Sequence, residues 1–592
     1  MDREKTNYKI GSPSKRIDRV WVILIVVVIV FILRLFFLQV IDYGHYKNLA
    51  QSFQLKQYQI PANRGIIEAY DNGNIVPLVL NQTFYTLYVD PTIVKNINKT
   101  ANDIYSVIGG NVAGYINKLR TKNTRYVILS HKITQSDNSK ILSFHLPGVG
   151  TQSQDYRVYP DGSLASQLLG FVNNAGVGVY GIEQAMNTTL SGIPGRVKAV
   201  TDANGVPLAA NASNIDIAPK NGNNLVLTIN IGIQTQLEQI IQKDYASTKS
   251  QGINALVMNP NNGQVVAMAN YPTYNPSDYQ NVTNSNLFDN GTVSNAIEPG
   301  SIMKTLTTPA ALNQGVIQPN TTFYDPAHWV VNGFNITDIA QDGGARVQSI
   351  ASILALSLNT GATWMLMQMG GGQINQKGID VWYNYMTKHF RLGQTTGIEQ
   401  GYEAPGFIPP PNMSDPSIDL RYANTSFGQG LLLTPIQIAT ALSSVLNGGT
   451  YYQPTLISKQ ITPSGRIINN QPKILEKNVV SPVVGADMIP LLENVVNAYL
   501  QGGFSFMKFS SNYIVGGKTG TAQLAMPTGG YYKNIFNGTY IGFVGGNTIQ
   551  YVIVVFNTKP NIPGYAGSYA AQPIFADIVH MLINDGYVAP KS

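Results

Sequence analysis

The chain has 592 residues, 39 lysines and arginines against 32 acidic residues, a formal net charge of +7, 44% hydrophobic and 12% charged residues. That length exceeds what one hydrophobic core usually serves, so two or more domains are expected, and the apolar share excludes a disordered chain. With no cysteine there are no disulfides, thiolate nucleophiles or cysteine-held metals; the six histidines form no HExxH or His-carboxylate cluster, so no metal or cofactor is expected, and the mild basicity shows no stripe of the kind nucleic-acid binders carry.

Val20–Leu33 is an unbroken apolar run that Arg34 interrupts and Leu35–Ile41 resumes. The two segments together reach the ~20 residues that span a bilayer, Arg34 can snorkel to the headgroups, and no small-x-small cleavage site follows. Arg3, Lys5, Lys9, Lys15, Arg16 and Arg19 precede the run against only Asp2, Glu4 and Asp18. The positive-inside rule therefore predicts a cytoplasmic tail over 1–19, one transmembrane anchor over 20–41, and everything later outside the cell.

From residue 42 to 220 short alternating strands and turn signals predict a mixed pedestal domain, with Tyr85–Asp90 a strand and Asp71-Asn-Gly-Asn74 a turn. Ala203–Asn224 is rich in Asn, Gly and Ala, as an interdomain connection would be. A second domain is expected over 221–592. Leu225–Ile229 reads as a strand, Ile233–Ile241 as a helix, and Ala255–Ala269 as a hairpin around Asn261-Asn-Gly. Tyr540–Val544 and Gln550–Phe556 supply further strands, and a helix over about 572–583 closes the chain. The pattern predicts an α+β domain, an antiparallel sheet with helices packed on it.

The chemistry-bearing pattern begins at Ser301-Ile-Met-Lys304, after Glu298-Pro-Gly. A helix running from Ser301 to about Leu312 would put Lys304 one turn on, ~5–6 Å away on the same face. A serine hydroxyl becomes a useful nucleophile when a neighbour takes its proton, and an amine can do so once its pKa falls well below ~10.4. The helix N-terminus adds N–H groups for a developing oxyanion. Ser-x-x-Lys also occurs at Ser12–Lys15 and Ser505–Lys508, so the motif alone is weak. Two partners single out Ser301. Ser357-Leu-Asn359 offers a hydroxyl to relay a proton and a carboxamide to bind a substrate amide. Lys518-Thr-Gly-Thr521 offers carboxylate-binding donors in Lys518, Thr519 and Thr521, and in Gly520 a bare backbone where substrate can lie against an edge strand.

Together, SxxK, SxN and KTG in this order are the set of penicillin-binding proteins and class A β-lactamases, with Leu358 standing where Asp is common. The chain resembles a class B penicillin-binding protein, a monofunctional peptidoglycan D,D-transpeptidase. Arg34–Ile41, Asn63-Arg-Gly-Ile-Ile67, Arg157-Val-Tyr-Pro160, Gly181-Ile-Glu183, Ser426-Phe-Gly-Gln-Gly430 and Asn447-Gly-Gly449 carry the likeness outside the trio. Asn230, Asn259 and Glu68-Ala-Tyr70 depart from the family's commoner residues.

The resemblance implies a penicillin-binding/serine β-lactamase-like fold for the second domain. It implies that Lys304 deprotonates Ser301, which attacks the penultimate D-Ala carbonyl of a peptidoglycan stem peptide. The backbone N–H groups of Ser301 and Thr521 would form the oxyanion hole. Ser357 would pass a proton to the leaving amine, Asn359 would hold the donor peptide, and Lys518, Thr519 and Thr521 would receive its carboxylate. An amine then resolves the acyl-enzyme into a cross-link, and β-lactams trap it. A D,D-carboxypeptidase or β-lactamase would use the same trio with water, but the pedestal and anchor favour transfer. A non-catalytic β-lactam-binding scaffold or sensor is the other alternative, and the intact motifs speak against it. No glycosyltransferase domain fits between anchor and transpeptidase unit, so the expected partners are a membrane glycan polymerase and elongation or division machinery.

Overall fold

A computed structural model describes residues 15–200, 215–338, 344–527 and 529–592. The tail cations Arg3, Lys5 and Lys9, the serine of the Ser12–Lys15 match, and most of the Asn- and Gly-rich connection lie outside the described residues.

One compact unit comprises the chain up to Ala62 together with Ile193–Asn221. Its first helix, Lys15–Phe36, continues through a wide turn at Phe37–Ile41. The apolar stretch Ile17–Ile41 is 25 residues long with a mean hydropathy of 3.2. That is long and apolar enough to cross a bilayer, where a helix satisfies every backbone group internally. Leu55–Ile60, Gly195–Val200 and Ile215–Ile217 form an antiparallel three-stranded sheet in this unit.

The second unit comprises Asn63–Gly192 and Gly222–Ser592. Ile67–Asp71 and Asn74–Val89 form a hairpin whose two turn residues, Asn72 (φ 47°) and Gly73 (φ 81°), both take the left-handed region that a tight type I′ turn requires. The expected strand at Tyr85–Asp90 is the end of this 16-residue strand, which also pairs with Val127–Ile133 and Val149–Val158. Asn224–Asn230 lies parallel to Ile67–Asp71 on one side and antiparallel to Ile457–Ile461 on the other.

Three of the segments that carry the family likeness meet at this sheet. Glu183, fully buried, accepts from Arg157 Nε at 2.6 Å on one carboxylate oxygen and from Arg64 Nε at 2.8 Å on the other. Arg64 Nη1 reaches Asn187 Oδ1 at 2.8 Å and Arg157 Nη1 reaches Asn81 Oδ1 at 2.7 Å. An interior carboxylate is tolerable because charge and hydrogen bonds are matched around it.

The larger part of the unit is built on a five-stranded antiparallel sheet. Its strands are β1 (Gly252–Met258), β2 (Val265–Tyr271), β3 (Ile514–Ala525), β4 (Tyr531–Gly545) and β5 (Ile549–Thr558), in the order β2-β1-β5-β4-β3. Alternation divides the sheet between two cores. Ala255 and Val257 face helices α1 (Ile231–Thr248) and α5 (Gln572–Asn584), while Leu256 and Met258 join the main core with α2 (Lys304–Asn313) and α3 (Asn359–Met369). Helix α4 (Pro482–Gln501) packs against β3. This is the expected α+β arrangement of an antiparallel sheet flanked by helices.

Two departures from the family's commoner residues keep a clear local task. Asn230 caps α1 through a bond from Ile233 N at 3.1 Å, and Asn259 accepts from Asn261 N at 2.9 Å in the β1–β2 turn. Asn does either task as well as Asp.

Candidate active site

Ser301 sits in a short 3₁₀ turn, Gly300–Met303, that hands over to α2 at Lys304. The helix expected to start at Ser301 therefore opens one tighter turn earlier than its α-helical part. Three close approaches fix the turn. Gly300 has φ 62°, and a Cβ on it would lie 2.9–3.1 Å from the Thr521 backbone. Gly300 N donates to Gly428 O at 3.0 Å, and Thr539 Oγ1 on β4 donates to Pro299 O at 2.6 Å. The nucleophile turn thus rests directly on the edge strand β3.

Lys304 is wholly buried, and its Nζ lies 3.0 Å from Ser301 Oγ. The same nitrogen lies 2.9 Å from Asn359 Oδ1, 2.6 Å from Ser357 O and 3.4 Å from Ser357 Oγ. Ser357 has φ 61°, a left-handed conformation that costs a non-glycine residue about 1–2 kcal/mol and tends to persist at functional sites. That conformation aims its carbonyl at the Lys304 amine. Leu358, in the place where Asp is common, is fully buried in the main core. An apolar side chain there therefore serves packing.

The third motif lies along β3, the edge of the sheet. Thr519 Oγ1 is 2.5 Å from the phenol of Tyr499 on α4, a pair in which either hydroxyl can donate, and burial pushes that phenol up to about 12. Thr521 Oγ1 accepts from Gly567 N at 3.0 Å. Lys518 is wholly buried, with Nζ donating to Thr519 O at 3.1 Å. Gly520 is needed for more than a bare backbone beside substrate: a Cβ there would stand 2.2 Å from Thr539 Oγ1 and 2.5 Å from Pro299 O.

Ser301, Ser357, Asn359, Thr519 and Thr521 line one open cleft of about 290 Å³. Phe427, Gln429, Tyr499, Gln523, Phe536 and Tyr565 are among its other walls. Phe427 and Gln429 fall in the Ser426–Gly430 segment already noted in the sequence, whereas Tyr499, Phe536 and Tyr565 carried no local signal. The competing Ser505 is an exposed residue of a one-turn helix, Ser505–Met507, and neither it nor Lys508 lines this cleft.

The model of the penicillin binding protein transpeptidase domain matches residues 253–580, and that of the penicillin-binding protein dimerisation domain matches 59–227. Stage V sporulation protein D of Bacillus subtilis is 30% identical over 586 residues, covering 97% of this chain and 86% of its own length. Peptidoglycan D,D-transpeptidase FtsI of Escherichia coli K12 is 24% identical over 569 residues, 94% of this chain and 90% of the relative. Among solved structures, penicillin binding protein 2X of Streptococcus thermophilus superposes with a TM-score of 0.72 at 23% identity, over 90% of this chain and 80% of that one. The chain belongs to the penicillin-binding protein transpeptidase family, in its class B form with a dimerisation domain ahead of the transpeptidase domain.

Proposed function

We propose that this chain is a membrane-anchored peptidoglycan D,D-transpeptidase that cross-links stem peptides through an acyl-enzyme on Ser301 and is trapped by β-lactams. The observation that carries the reading is the Lys304 Nζ–Ser301 Oγ contact of 3.0 Å at a cleft also lined by Ser357, Asn359, Thr519 and Thr521. Relatives named D,D-transpeptidases support the reaction class.

In its neutral form Lys304 takes the Ser301 proton as Oγ attacks the penultimate D-Ala carbonyl. Negative charge develops on the carbonyl oxygen and is met by the backbone N–H groups of Ser301 and Thr521. A single such donor is typically worth ~3 kcal/mol of barrier. Ser357, within reach of the same amine at 3.4 Å, relays the proton to the departing D-Ala nitrogen. Asn359 orients Lys304 and the donor peptide, while Lys518, Thr519 and Thr521 give the carboxylate of the donor its electrostatic seat. Tyr499, hydrogen-bonded to Thr519 Oγ1, holds that hydroxyl at the cleft. An amine of a second stem peptide then attacks the ester, forming the cross-link and freeing Ser301.

The segment 20–41 is the anchor, with residues 1–19 cytoplasmic and 42–592 outside, pedestal 42–220 and transpeptidase domain 221–592. A membrane glycan polymerase supplies the strands, within elongation or division machinery. The test is to incubate the full chain in detergent with a labelled penicillin and map the adduct by mass spectrometry. Label on Ser301 is expected; label on Ser505, or none on Ser301, would overturn the assignment. Product analysis with a stem-peptide donor and an amine acceptor separates transfer from hydrolysis.

A further inference from the structure

Helix α3 begins at Asn359, and its N-cap position, Leu358, supplies no side-chain acceptor. The first N–H groups of a helix have no partner within it, so something else must take them. Asp338, 21 residues earlier, does so. Its Oδ1 accepts from Asn359 N at 2.5 Å and from Thr360 N at 3.0 Å, and its Oδ2 from Thr360 Oγ1 at 2.5 Å. The residue before it adds a fourth tie, Thr337 O accepting from Asn359 Nδ2 at 3.1 Å.

These bonds have a directional consequence. With Nδ2 held by Thr337 O, the carboxamide of Asn359 can present only Oδ1 to Lys304 Nζ, which lies 2.9 Å away. With N–H held by Asp338, the backbone from which that carboxamide projects cannot slide along the helix axis. The holding segment is itself fastened: Phe334–Thr337 pairs with His328–Val331, and Trp329 Nε1 donates to Thr360 O at 3.0 Å. A negative carboxylate at a helix N-terminus is also electrostatically favoured.

We propose that Asp338 is a positioning residue for acylation, setting Asn359 and through it the Lys304 amine against Ser301. The inference rests on the reading of Ser301 and Lys304 as the reacting pair. Replacing Asp338 by Ala removes two acceptor oxygens and the three hydrogen bonds they take, while Asp338→Asn keeps an oxygen for both N–H groups. The amine then keeps its contact with Ser357 O but loses the fixed Asn359 Oδ1 that aligns it at 3.0 Å from Ser301 Oγ, and displacement of a reacting group by ~1 Å costs on the order of 100-fold in rate.

The experiment measures penicillin acylation of the full chain in detergent, separating the non-covalent dissociation constant from the acylation rate constant, with melting temperature for each variant. Asp338→Ala is expected to lower the acylation rate constant by roughly 10–100-fold with the dissociation constant nearly unchanged, because the carboxylate donors lie on β3. Asp338→Asn is expected to recover most of the rate. An unchanged rate constant in Asp338→Ala, a loss confined to the dissociation constant, or an Asn variant as slow as the Ala variant overturns the proposal. A merely structural cap would lower the melting temperature and leave the rate constant of the folded protein alone. Amide hydrogen exchange on the unsubstituted chain needs no variant to fold: protected Asn359 and Thr360 amides support the contact, and rapid exchange refutes it. Failure of Ser301 to label in the unsubstituted chain would strike the underlying assignment; a labelled Ser301 with an indifferent Asp338 strikes this inference alone.

Discussion

Gly520→Ala tests how closely the sheet edge and the nucleophile turn are fitted to each other. The added methyl would stand 2.2 Å from Thr539 Oγ1 and 2.5 Å from Pro299 O, where contacts under 3.0 Å essentially never occur. Thr539 cannot simply rotate away, because its hydroxyl donates to that same Pro299 carbonyl at 2.6 Å. Either β3 moves out or the Pro299–Ser301 segment is pushed back, by roughly 0.5–0.8 Å. Overpacking of this kind costs about 1–3 kcal/mol of stability. A shift approaching the ~1 Å that costs two decades in rate predicts acylation slowed by roughly 10–100-fold. The assay is the time course of labelling by a fluorescent penicillin in excess, alongside the melting temperature. Gly252→Ala on β1 is the control, since its methyl would meet only Tyr271 O at 3.6 Å. Labelling of Gly520→Ala at the unsubstituted rate, or no slower than the control, would refute the reasoning.

Glu183→Ala strands two guanidinium groups whose side chains are only 10% and 3% exposed, and is expected to cost about 3–5 kcal/mol in denaturant unfolding, whereas Asp577→Asn at the exposed Lys243 pair should cost under ~1 kcal/mol. Burial raises the Glu298 carboxyl above its ordinary value, so the fold favours its neutral form; that stability is complete below about pH 4.5 and lost as pH rises through the raised value. Glu298→Gln, which keeps an acceptor for Gly430 N and Tyr531 OH, should therefore raise the melting temperature at pH 7.5 and leave it unchanged near pH 4; equal shifts at both pH values would contradict this. Ser301→Ala should abolish covalent penicillin labelling while Ser505→Ala leaves it intact, as gel fluorescence would read directly.

The order of three short motifs and the apolar run near the start were legible because each is local: a spacing, a composition, a period. The β1–β2 hairpin and the closing helix were legible for the same reason. The limits were also physical. β4 was read only over Tyr540–Val544 but begins at Tyr531, because its outer half is exposed and lacks the apolar alternation that betrays a strand, its register being set by β3 instead. Arg64, Arg157 and Glu183 stood in three separately noted segments, yet nothing in any one of them announces that they share an ion cluster. Tyr499 looks like one more aromatic on the apolar side of α4, and its tie to Thr519 appears only once that helix meets β3. Asp338 is a polar residue at a strand end, and capping from 21 residues away leaves no mark on spacing.

The strand Asn224–Asn230 is hydrogen-bonded on one side to Ile67–Asp71 and on the other to Ile457–Ile461. The sheet therefore threads a segment before the transpeptidase motifs between one strand far upstream and one far downstream in the chain. A soluble reagent begun at Gly222 would leave one flank of that strand as a row of unpaired amides and carbonyls, a template for other chains to dock on. The same stitching makes it hard to swap pedestals between family members like interchangeable handles, since each exchange must also supply the matching neighbour for this one strand.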